Sequence, residues 1–277
     1  MKTYCIYSDK MTSDPSREHI IPLCLGGHDD FVINVDRKIN CDIGSKVDGR
    51  LSNDFLILFD RDRAAAQGHS GKHLRPVVKR ASLKDGTPVH AIFGKDGLGI
   101  FDLKEMAPLE RSDSRGQTIE LRNISISADI DMMFVAKVAL AAGYFVYGEI
   151  FRKYVDHSEF RLIMNMDETN LPTNSMALAY NRFYEPSDDD INFHIKRIAT
   201  GLGACSSVII LPSQNRFGVS VGVLGRFLGF ISVPAESKHL PNEGAYRYGH
   251  CIYLQDGQLY RCSFDHVRKK MIEMTAR

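Results

Sequence analysis

The sequence lacks three features that would place it at once in a familiar class. Its six cysteines form no C-x-x-C pair, its first fourteen residues hold no apolar run of signal-peptide length, and its formal net charge is only +1. A secreted disulfide framework is denser in cysteine and shorter, so we expect free thiols in a reducing cytoplasm. The charge excludes a strongly basic coat protein, and any surface for nucleic acid must be a local patch.

No segment is expected to cross a membrane. The most apolar stretch, residues 132–150, contains Lys137 in its first half and Glu149 near its end. Its uncharged part is shorter than the ~20 residues that a membrane-spanning helix needs. We therefore expect a buried helix of a soluble protein, which fits an apolar content of 44% and a charged content of 25%.

The character of the sequence changes along the chain, and three parts are predicted. Residues 1–60 form a small unit. Residues 61–84 form a basic connector with seven basic residues and one acidic residue. Residues 85–277 form a larger α+β domain of unassigned role, in recognition, sensing or dimerisation.

Periodicity predicts the elements of both folded parts. In the first, β-prone stretches at 4–7 and 31–35 precede a helix over 38–51, whose apolar residues recur every four positions. In the second, antiparallel strands and turns accompany one long buried helix. Strands are expected at 89–93, 99–103, 118–126, 161–166, 206–211, 217–223, 227–233, 246–254 and 258–262, helices at 130–155 and 265–277, and a strand or short helix at 193–200.

One segment, residues 16–51, carries a pattern of chemically active side chains. The adjacent pair Glu18-His19 is followed by two apolar residues, a proline and a Gly-Gly turn, and then by Asn34 and Asn40, which lie 15 and 21 residues after His19. The order and spacing resemble the HNH nuclease family, in which an acid-His pair ends a first strand and later polar residues lie on a second strand and a helix. The resemblance ends by about residue 55 and implies a small ββα-metal module.

The residue types also suit phosphodiester hydrolysis on chemical grounds. A neutral histidine is a suitable base for water near pH 7, and Mg²⁺ prefers oxygen ligands such as carboxylate and amide groups. By resemblance, His19 activates water, and Glu18 and Asn40 bind Mg²⁺, with Mn²⁺ as a substitute. The resemblance gives Asn34 the role of orienting the His19 ring or fixing the loop.

Each of these residues also has an ordinary structural explanation. An acid-His pair usually means nothing, a Gly-Gly step fits any turn, and Asn40 would serve equally as a helix cap. Neighbouring residues of a strand point to opposite faces, so Glu18 and His19 can serve one site only if the strand ends or bends there. The proline and glycines that follow make such a break plausible.

The segment departs from the family in two respects. Many members carry two C-x-x-C pairs that hold a structural zinc, whereas here Cys5 is followed by Ser8, and Asp36 and Ile39 replace the second pair. One of four ligands is left, so no structural zinc is expected. Glu18 stands where many members have aspartate, which lengthens the ligand arm by one methylene group.

Basic residues near the motif are the candidates for contacts to phosphate. Three lie on the predicted motif helix, where Lys46 and Arg50 share a face at positions i and i+4. The connector supplies four more, although a charge run is as often a solvated linker. The full set is Lys38, Lys46, Arg50, Lys72, Arg75, Lys79 and Arg80.

Together these features predict a metal-dependent endonuclease that cuts nucleic acid, DNA in preference to RNA, in a cytoplasmic restriction or antiviral-defence role. A single site cuts one strand per engagement, so double-strand cleavage would favour a homodimer. Two alternatives stay open. In one, the second domain gates the nuclease in response to a ligand. In the other, the module is catalytically silent and the protein only binds nucleic acid.

Overall fold

The computed structural model describes residues 2–68, 71, 74–94, 97–109, 118–122, 124, 126–166, 175–187, 190–201, 205–241, 246 and 248–275. Helices and strands are mixed along this part of the chain, and the strand pairs within its sheets are antiparallel. The predicted α+β class with one long buried helix is confirmed.

The N-terminal part consists of two short β-ribbons and a run of helices. Its elements are β1 (Thr3–Cys5), β2 (Lys10–Thr12), β3 (Pro15–His19), β4 (Val32–Asp36), α1 (Arg37–Ile43), α2 (Gly49–Ser52) and α3 (Phe55–Arg63). β1 pairs with β2, and β3 with β4. A π-helical segment, Gly44–Asp48, joins α1 to α2. The helix predicted over 38–51 therefore forms, with a widened turn that begins at its first glycine.

A five-stranded sheet follows, in the order β8-β7-β6-β5-β9. Its strands are β5 (Val77–Leu83), β6 (Pro88–Gly94), β7 (Gly97–Asp102), β8 (Ala107–Pro108) and β9 (Ile119–Leu121). Residues 61–63 of the predicted connector form the last turn of α3, and residues 77–83 form β5. Arg61 in that turn is buried, and its Nη1 donates to the Ser52 carbonyl at 2.8 Å. Val78, Ala81 and Leu83 of β5 face a small separate core.

A six-stranded sheet forms the largest layer, in the order β10-β13-β12-β11-β14-β15. Its strands are β10 (Leu178–Asn181), β11 (Ser206–Ser213), β12 (Arg216–Val223), β13 (Arg226–Pro234), β14 (His250–Gln255) and β15 (Gln258–Ser263). The predicted meander and final hairpin are confirmed. Asp256 and Gly257 form the hairpin turn, both with positive φ, as a two-residue turn of this kind requires.

The helices of the C-terminal part are α4 (Ala128–Tyr147), α5 (Glu149–Tyr154), α6 (Ser158–Met164), α7 (Ile191–Gly201) and α8 (Phe264–Thr275). The long helix predicted over 130–155 breaks at Gly148, whose φ of 54° is open to glycine at little cost. The strand predicted over 161–166 is wrong. That segment belongs to α6, because Phe160, Ile163 and Met164 recur at helical spacing and are all buried.

Helix α4 lies between the N-terminal part and the six-stranded sheet. It contacts β12 and β13 on the sheet side, and α2, the π segment and β4 on the other. One hydrophobic core consequently includes Phe31, Phe134 and Val221 from these three layers. By length and composition α4 could span a membrane, but 83% of its most apolar stretch is buried inside the structure, as in the core helix of a soluble protein.

The opposite face of the six-stranded sheet is covered by α7 and α8, which contribute Ile198 and Phe264 to a second core. Because both faces are covered, β11 and β12 are buried at consecutive positions instead of alternate ones. The boundaries expected near residues 60 and 85 stay a prediction, since the core that joins the N-terminal part to α4 is continuous.

His250 predicts a pH-dependent loss of stability. It is 2% exposed, stacks on Tyr246, and accepts a bond from Arg261 Nε at Nδ1. Burial, and then the Arg261 charge, lower the pKa of His250 from 6.5 to about 4. The unfolded chain takes up a proton below its pKa while the folded protein stays neutral, so stability falls by up to about 3 kcal/mol between about pH 6.5 and 4.

Urea unfolding at pH 7 and pH 4.5 measures this effect. The variant His250→Phe keeps a buried ring but cannot titrate, so its free energy of unfolding should change less between the two pH values than that of the wild type. An equal change in both proteins would contradict the assignment.

Candidate functional site

The β3–β4 ribbon and the helix after it form one unit that is fixed by Asp36. This residue ends β4, and its Oδ1 accepts bonds from the backbone N–H groups of Lys38 and Ile39 at the start of α1. Its Oδ2 accepts a bond from Thr12 Oγ1 at 2.7 Å. Asp36 is therefore the helix cap, and Asn40 lies within the first turns of the helix, free for another role.

Strand β3 ends at His19, and the side chains of Glu18 and His19 leave it on opposite faces. In the ribbon His19 pairs with Val32, and Arg17 pairs with Asn34. These four residues share one face of the ribbon, because alternate residues of a strand point the same way. Glu18 points to the opposite, buried face. Asn34 is thus a diagonal neighbour of His19, and its predicted role in orienting the ring stays a prediction.

The His19 ring is held by Asp29, which the sequence pattern did not single out. His19 Nε2 lies 2.9 Å from Asp29 Oδ1, and Arg17 Nη2 donates to the Asp29 carbonyl at 2.8 Å. The hydrogen bond to His19 lowers the pKa of Asp29, although its carboxylate is 74% exposed. A carboxylate only accepts, so a neutral His19 carries its proton on Nε2 and not on Nδ1.

Glu18 lies against a buried lysine from the far part of the chain. Its Oε1 is 2.5 Å from Nζ of Lys137, which lies within α4 and is completely buried. The same ammonium group donates to both carboxylate oxygens of Asp48, at 2.8 and 3.0 Å, and to the His19 carbonyl at 3.3 Å. We call Glu18, Asp48 and Lys137 the buried charge cluster.

The two carboxylates of this cluster stabilise the charged form of Lys137. Burial alone lowers the pKa of Lys137, but the carboxylates of Asp48 and Glu18 outweigh it, and the pKa lies above its ordinary value. Burial raises the pKa of Asp48 to about 6, against the opposing effect of Lys137. At neutral pH the ammonium group is therefore charged and its partner is mainly ionised. Removing one member would leave an uncompensated buried charge.

Asn40 is fixed to the strand that carries Glu18. Its Nδ2 donates to Ser16 Oγ at 3.0 Å and to the Arg17 carbonyl at 3.1 Å. Ser16 and Glu18 lie on the same face of β3, since they are two residues apart. These bonds use the amide nitrogen of Asn40, and its amide oxygen can act only as an acceptor or a metal ligand.

The donors present fit a hard divalent cation better than a zinc ion. Glu18 has two carboxylate oxygens, of which Oε1 lies beside Lys137. Asn40 has an amide oxygen. Within the described ranges no group of three Cys, His, Asp or Glu side chains is close enough to hold a metal alone. Mg²⁺ often takes one or two protein carboxylates and completes its shell with water and substrate phosphate, so carboxylate and amide oxygens are ligand types that it accepts.

The Gly-Gly loop after β3 is bonded to the six-stranded sheet. Ser206 Oγ donates to the Leu25 carbonyl at 2.6 Å, and His28 Nε2 lies 3.1 Å from the Gly257 carbonyl. A Cβ atom on Gly27 would collide with the backbone carbonyl of Ile21. The glycine is therefore required by close packing of the chain on itself, and the loop connects the motif to the far part of the fold.

The basic residues expected to bind phosphate lie in different surroundings. Lys38 and Lys46 are exposed on the motif helix run. Arg50 lies 3.6 Å from Asp129 in the first turn of α4, so it takes part in fixing that helix. Lys72 lies outside the described residues. On the motif helix run, Lys38 and Lys46 are therefore better placed than Arg50 to meet a phosphate from solvent.

Lys79 and Arg80 line a groove that the sequence did not reveal. They project from β5 together with Arg122, which follows β9, and the concavity has a volume of about 380 Å³. Its walls include Phe55 at the start of α3. Arg75 lies elsewhere, 3.9 Å from the buried Asp62. Three cations around one groove with an aromatic wall form a surface suited to a polyanion.

Sequence reasoning missed Asp29, Asp48, Lys137 and Arg122. The one visible signal was Lys137, the only charge in the apolar sequence between residues 132 and 147. Asp29 is one of two adjacent aspartates in the loop before β4. Nothing in the spacing of the sequence shows that its side chain contacts His19. Asp48 follows the apolar Val47 on the motif helix run, where an acid is ordinarily solvated.

Comparison with known proteins gives no family: no family model matches the chain, and no curated protein or solved structure matches it. A functional proposal therefore rests on the residues and on the geometry above.

The Gly-Gly loop allows a first test. Gly27→Ala should lower the free energy of unfolding by at least about 2 kcal/mol, because the new methyl group meets the Ile21 carbonyl. Gly44→Ala is the matched control, since nothing lies within 4 Å of its added Cβ and alanine favours a helix. Urea unfolding measures both variants, and equal midpoints would show that the loop is not tightly constrained.

Proposed function

We propose that the chain is a metal-dependent endonuclease of the HNH type that hydrolyses phosphodiester bonds, most readily in DNA. The position of His19 is the observation that carries this proposal. It ends β3 with its ring beside the Asp29 carboxylate, and Asn40 of the following helix is bonded to the same strand at Arg17. Metal-assisted hydrolysis of a phosphodiester requires a base for water and oxygen ligands for the ion, and His19, Glu18 and Asn40 supply these residue types from β3 and the helix that follows.

In this proposal His19 Nδ1 takes a proton from the attacking water, because Nε2 carries the hydrogen that is donated to Asp29. The water oxygen forms a bond to phosphorus while the bond from phosphorus to the leaving oxygen breaks. The leaving oxygen takes its proton from solvent. Asp29 fixes the ring in this orientation and stabilises the imidazolium that forms.

Glu18 and Asn40 are proposed to hold Mg²⁺, or Mn²⁺ in its place, through oxygen atoms. When bound, the ion neutralises charge on the phosphate and on the leaving oxygen. Lys38 and Lys46 are proposed to bind phosphates of the nucleic acid near the site. Lys79, Arg80 and Arg122 are proposed to bind a more distant stretch of the same nucleic acid.

The wider setting is also part of the proposal. Free cysteines and a buried α4 suit a cytoplasmic protein, in which a restriction or antiviral-defence role is proposed. One base serves one strand, so a double-strand cut would need a second copy of the chain on the other strand.

One observation favours the catalytically silent alternative. The ammonium group of Lys137 lies 2.5 Å from a Glu18 oxygen, at a distance typical of a strong ion pair. If this pair occupied the whole carboxylate, the protein would bind nucleic acid without cutting it. A cleavage assay with Mg²⁺ and with Mn²⁺ separates the two functions.

The central prediction concerns His19. Wild-type protein should nick supercoiled plasmid in the presence of Mg²⁺ or Mn²⁺ and not in EDTA. His19→Ala should cut at least about 100-fold more slowly, as expected for loss of a general base. Asp29→Asn keeps a hydrogen-bond acceptor for His19 but removes the negative charge, and should lower the nicking rate about 10-fold.

The control is His266→Ala, which changes an exposed histidine on α8. It should cut at the wild-type rate. Plasmid cleavage by His19→Ala at the wild-type rate would refute the assignment of the base, and an absence of any cleavage by wild type with either ion would favour the silent alternative.

The groove predicts a salt-dependent affinity for DNA. The double variant Lys79→Ala/Arg80→Ala should bind a DNA duplex in EDTA about 10-fold more weakly. The slope of log Kd against log salt concentration should fall by about 2, one unit for each lost phosphate contact. Lys84→Ala/Lys104→Ala removes two exposed lysines outside the groove and is the matched control. Equal affinities and slopes for both double variants would exclude the groove as the binding surface.

A further inference from the structure

Lys137 is the most unusual charge in the fold. It is completely buried in α4, where its neighbours in sequence are apolar and buried as well. Burying an ammonium group is strongly unfavourable unless charged and polar partners offset the loss of water. A methionine or leucine at this position would complete the core without that cost, so packing alone does not explain a lysine.

Within the described residues, the ion-pair and hydrogen-bond partners of Lys137 belong to the N-terminal module, and the ring of Phe134 on its own helix lies 5.7 Å from the ammonium group. The ammonium group donates to both oxygens of the Asp48 carboxylate and to the His19 carbonyl, and it forms an ion pair with the Glu18 carboxylate. Two of these three groups are the adjacent residues proposed to bind the metal and to activate water. The third comes from the π segment of the motif helix run.

We propose that Lys137 is a positioning residue of the nuclease site, which sets the orientation of the Glu18 carboxylate and of the His19 backbone. This inference rests on the proposed function and goes beyond it, because it makes a side chain of α4, far along the chain, a component of the module's site. Lys137 touches neither substrate nor the reacting atoms, and it acts through Glu18 and His19.

The ratio of two carboxylates to one ammonium group indicates that Lys137 positions Glu18 and does not block it from binding a metal ion. Asp48 receives the ammonium group with both carboxylate oxygens, whereas Glu18 approaches it with Oε1. Two carboxylates share one cation, so a negative charge remains in the cluster for a metal ion. A lysine that simply neutralised Glu18 would not need the second acid.

The test is the double variant Lys137→Met/Asp48→Asn. It removes one cation and one carboxylate, so the formal charge of the cluster is unchanged and Glu18 is kept. At saturating Mg²⁺ the kcat for plasmid nicking should fall at least 10-fold, with the KM for DNA within threefold of wild type. The Mg²⁺ concentration for half-maximal rate should rise at least fivefold.

A second buried cluster offers a matched control. Arg182 is held between Asp54 and Asp131, and all three side chains are almost fully buried. Arg182→Met/Asp54→Asn makes the same change of charge there, and asparagine still suits the helix cap that Asp54 forms. Its kcat should stay within threefold of wild type, even where its melting temperature falls as far as that of the test variant.

The outcomes are distinct. A test variant that nicks as fast as wild type, or faster, overturns the proposal, and so does an equal loss of kcat in the control. A wild-type protein that never cuts refutes the proposed function itself, and the positioning role with it.

Circular dichroism and melting temperature establish whether the test variant is folded. If it is not, Lys137→Arg is the second variant. It keeps the charge but moves the donors, so kcat should again fall at least 10-fold, and a wild-type rate would overturn the proposal.

Discussion

The burial of the Lys137 ammonium group is the constraint on which the rest of the structure depends. An unpaired cation inside a core of Phe134, Val221 and their neighbours would not be tolerated. Helix α4 can therefore occupy its place only when β3 brings Glu18, and the π segment brings Asp48, to the same point. The requirement acts in both directions, because the two carboxylates are buried as well. Folding of the module and docking of α4 are thus coupled, whatever the boundaries of the domains.

The same constraint explains the irregular motif helix. Its apolar residues, among them Ile43, Val47 and Leu51, recur every four positions, whereas an α-helix repeats every 3.6 residues. A regular helix would rotate the last of them away from the core. The π segment Gly44–Asp48 has a wider turn, which keeps all three buried. It also ends on Asp48, next to the buried Val47, and so delivers the acid to the ammonium group.

The elements and the order of the motif could be predicted from the sequence, whereas the contacts between distant segments could not. Strand alternation and the four-residue apolar repeat indicate the ribbon and the helix run, because both are local properties. Residues 161–166 were misassigned since a short apolar run fits a strand or a helix equally well. Asp29 and Asp48 were missed for a different reason. Asp29 meets His19 because the loop closes, and Asp48 meets Lys137 because α4 docks. Neither contact produces a periodic pattern in the sequence.

A formal net charge of +1 understates how positive parts of the surface are. Several acidic residues form ion pairs with buried cations, as in the clusters around Lys137 and Arg182. Other cations lie outside these buried clusters, and among them Lys46 and Lys79 are exposed. Counting charges along the chain mixes these two populations, although only the second can meet a phosphate. A nearly neutral chain therefore remains compatible with a nucleic-acid surface, provided that its buried charges are first set aside.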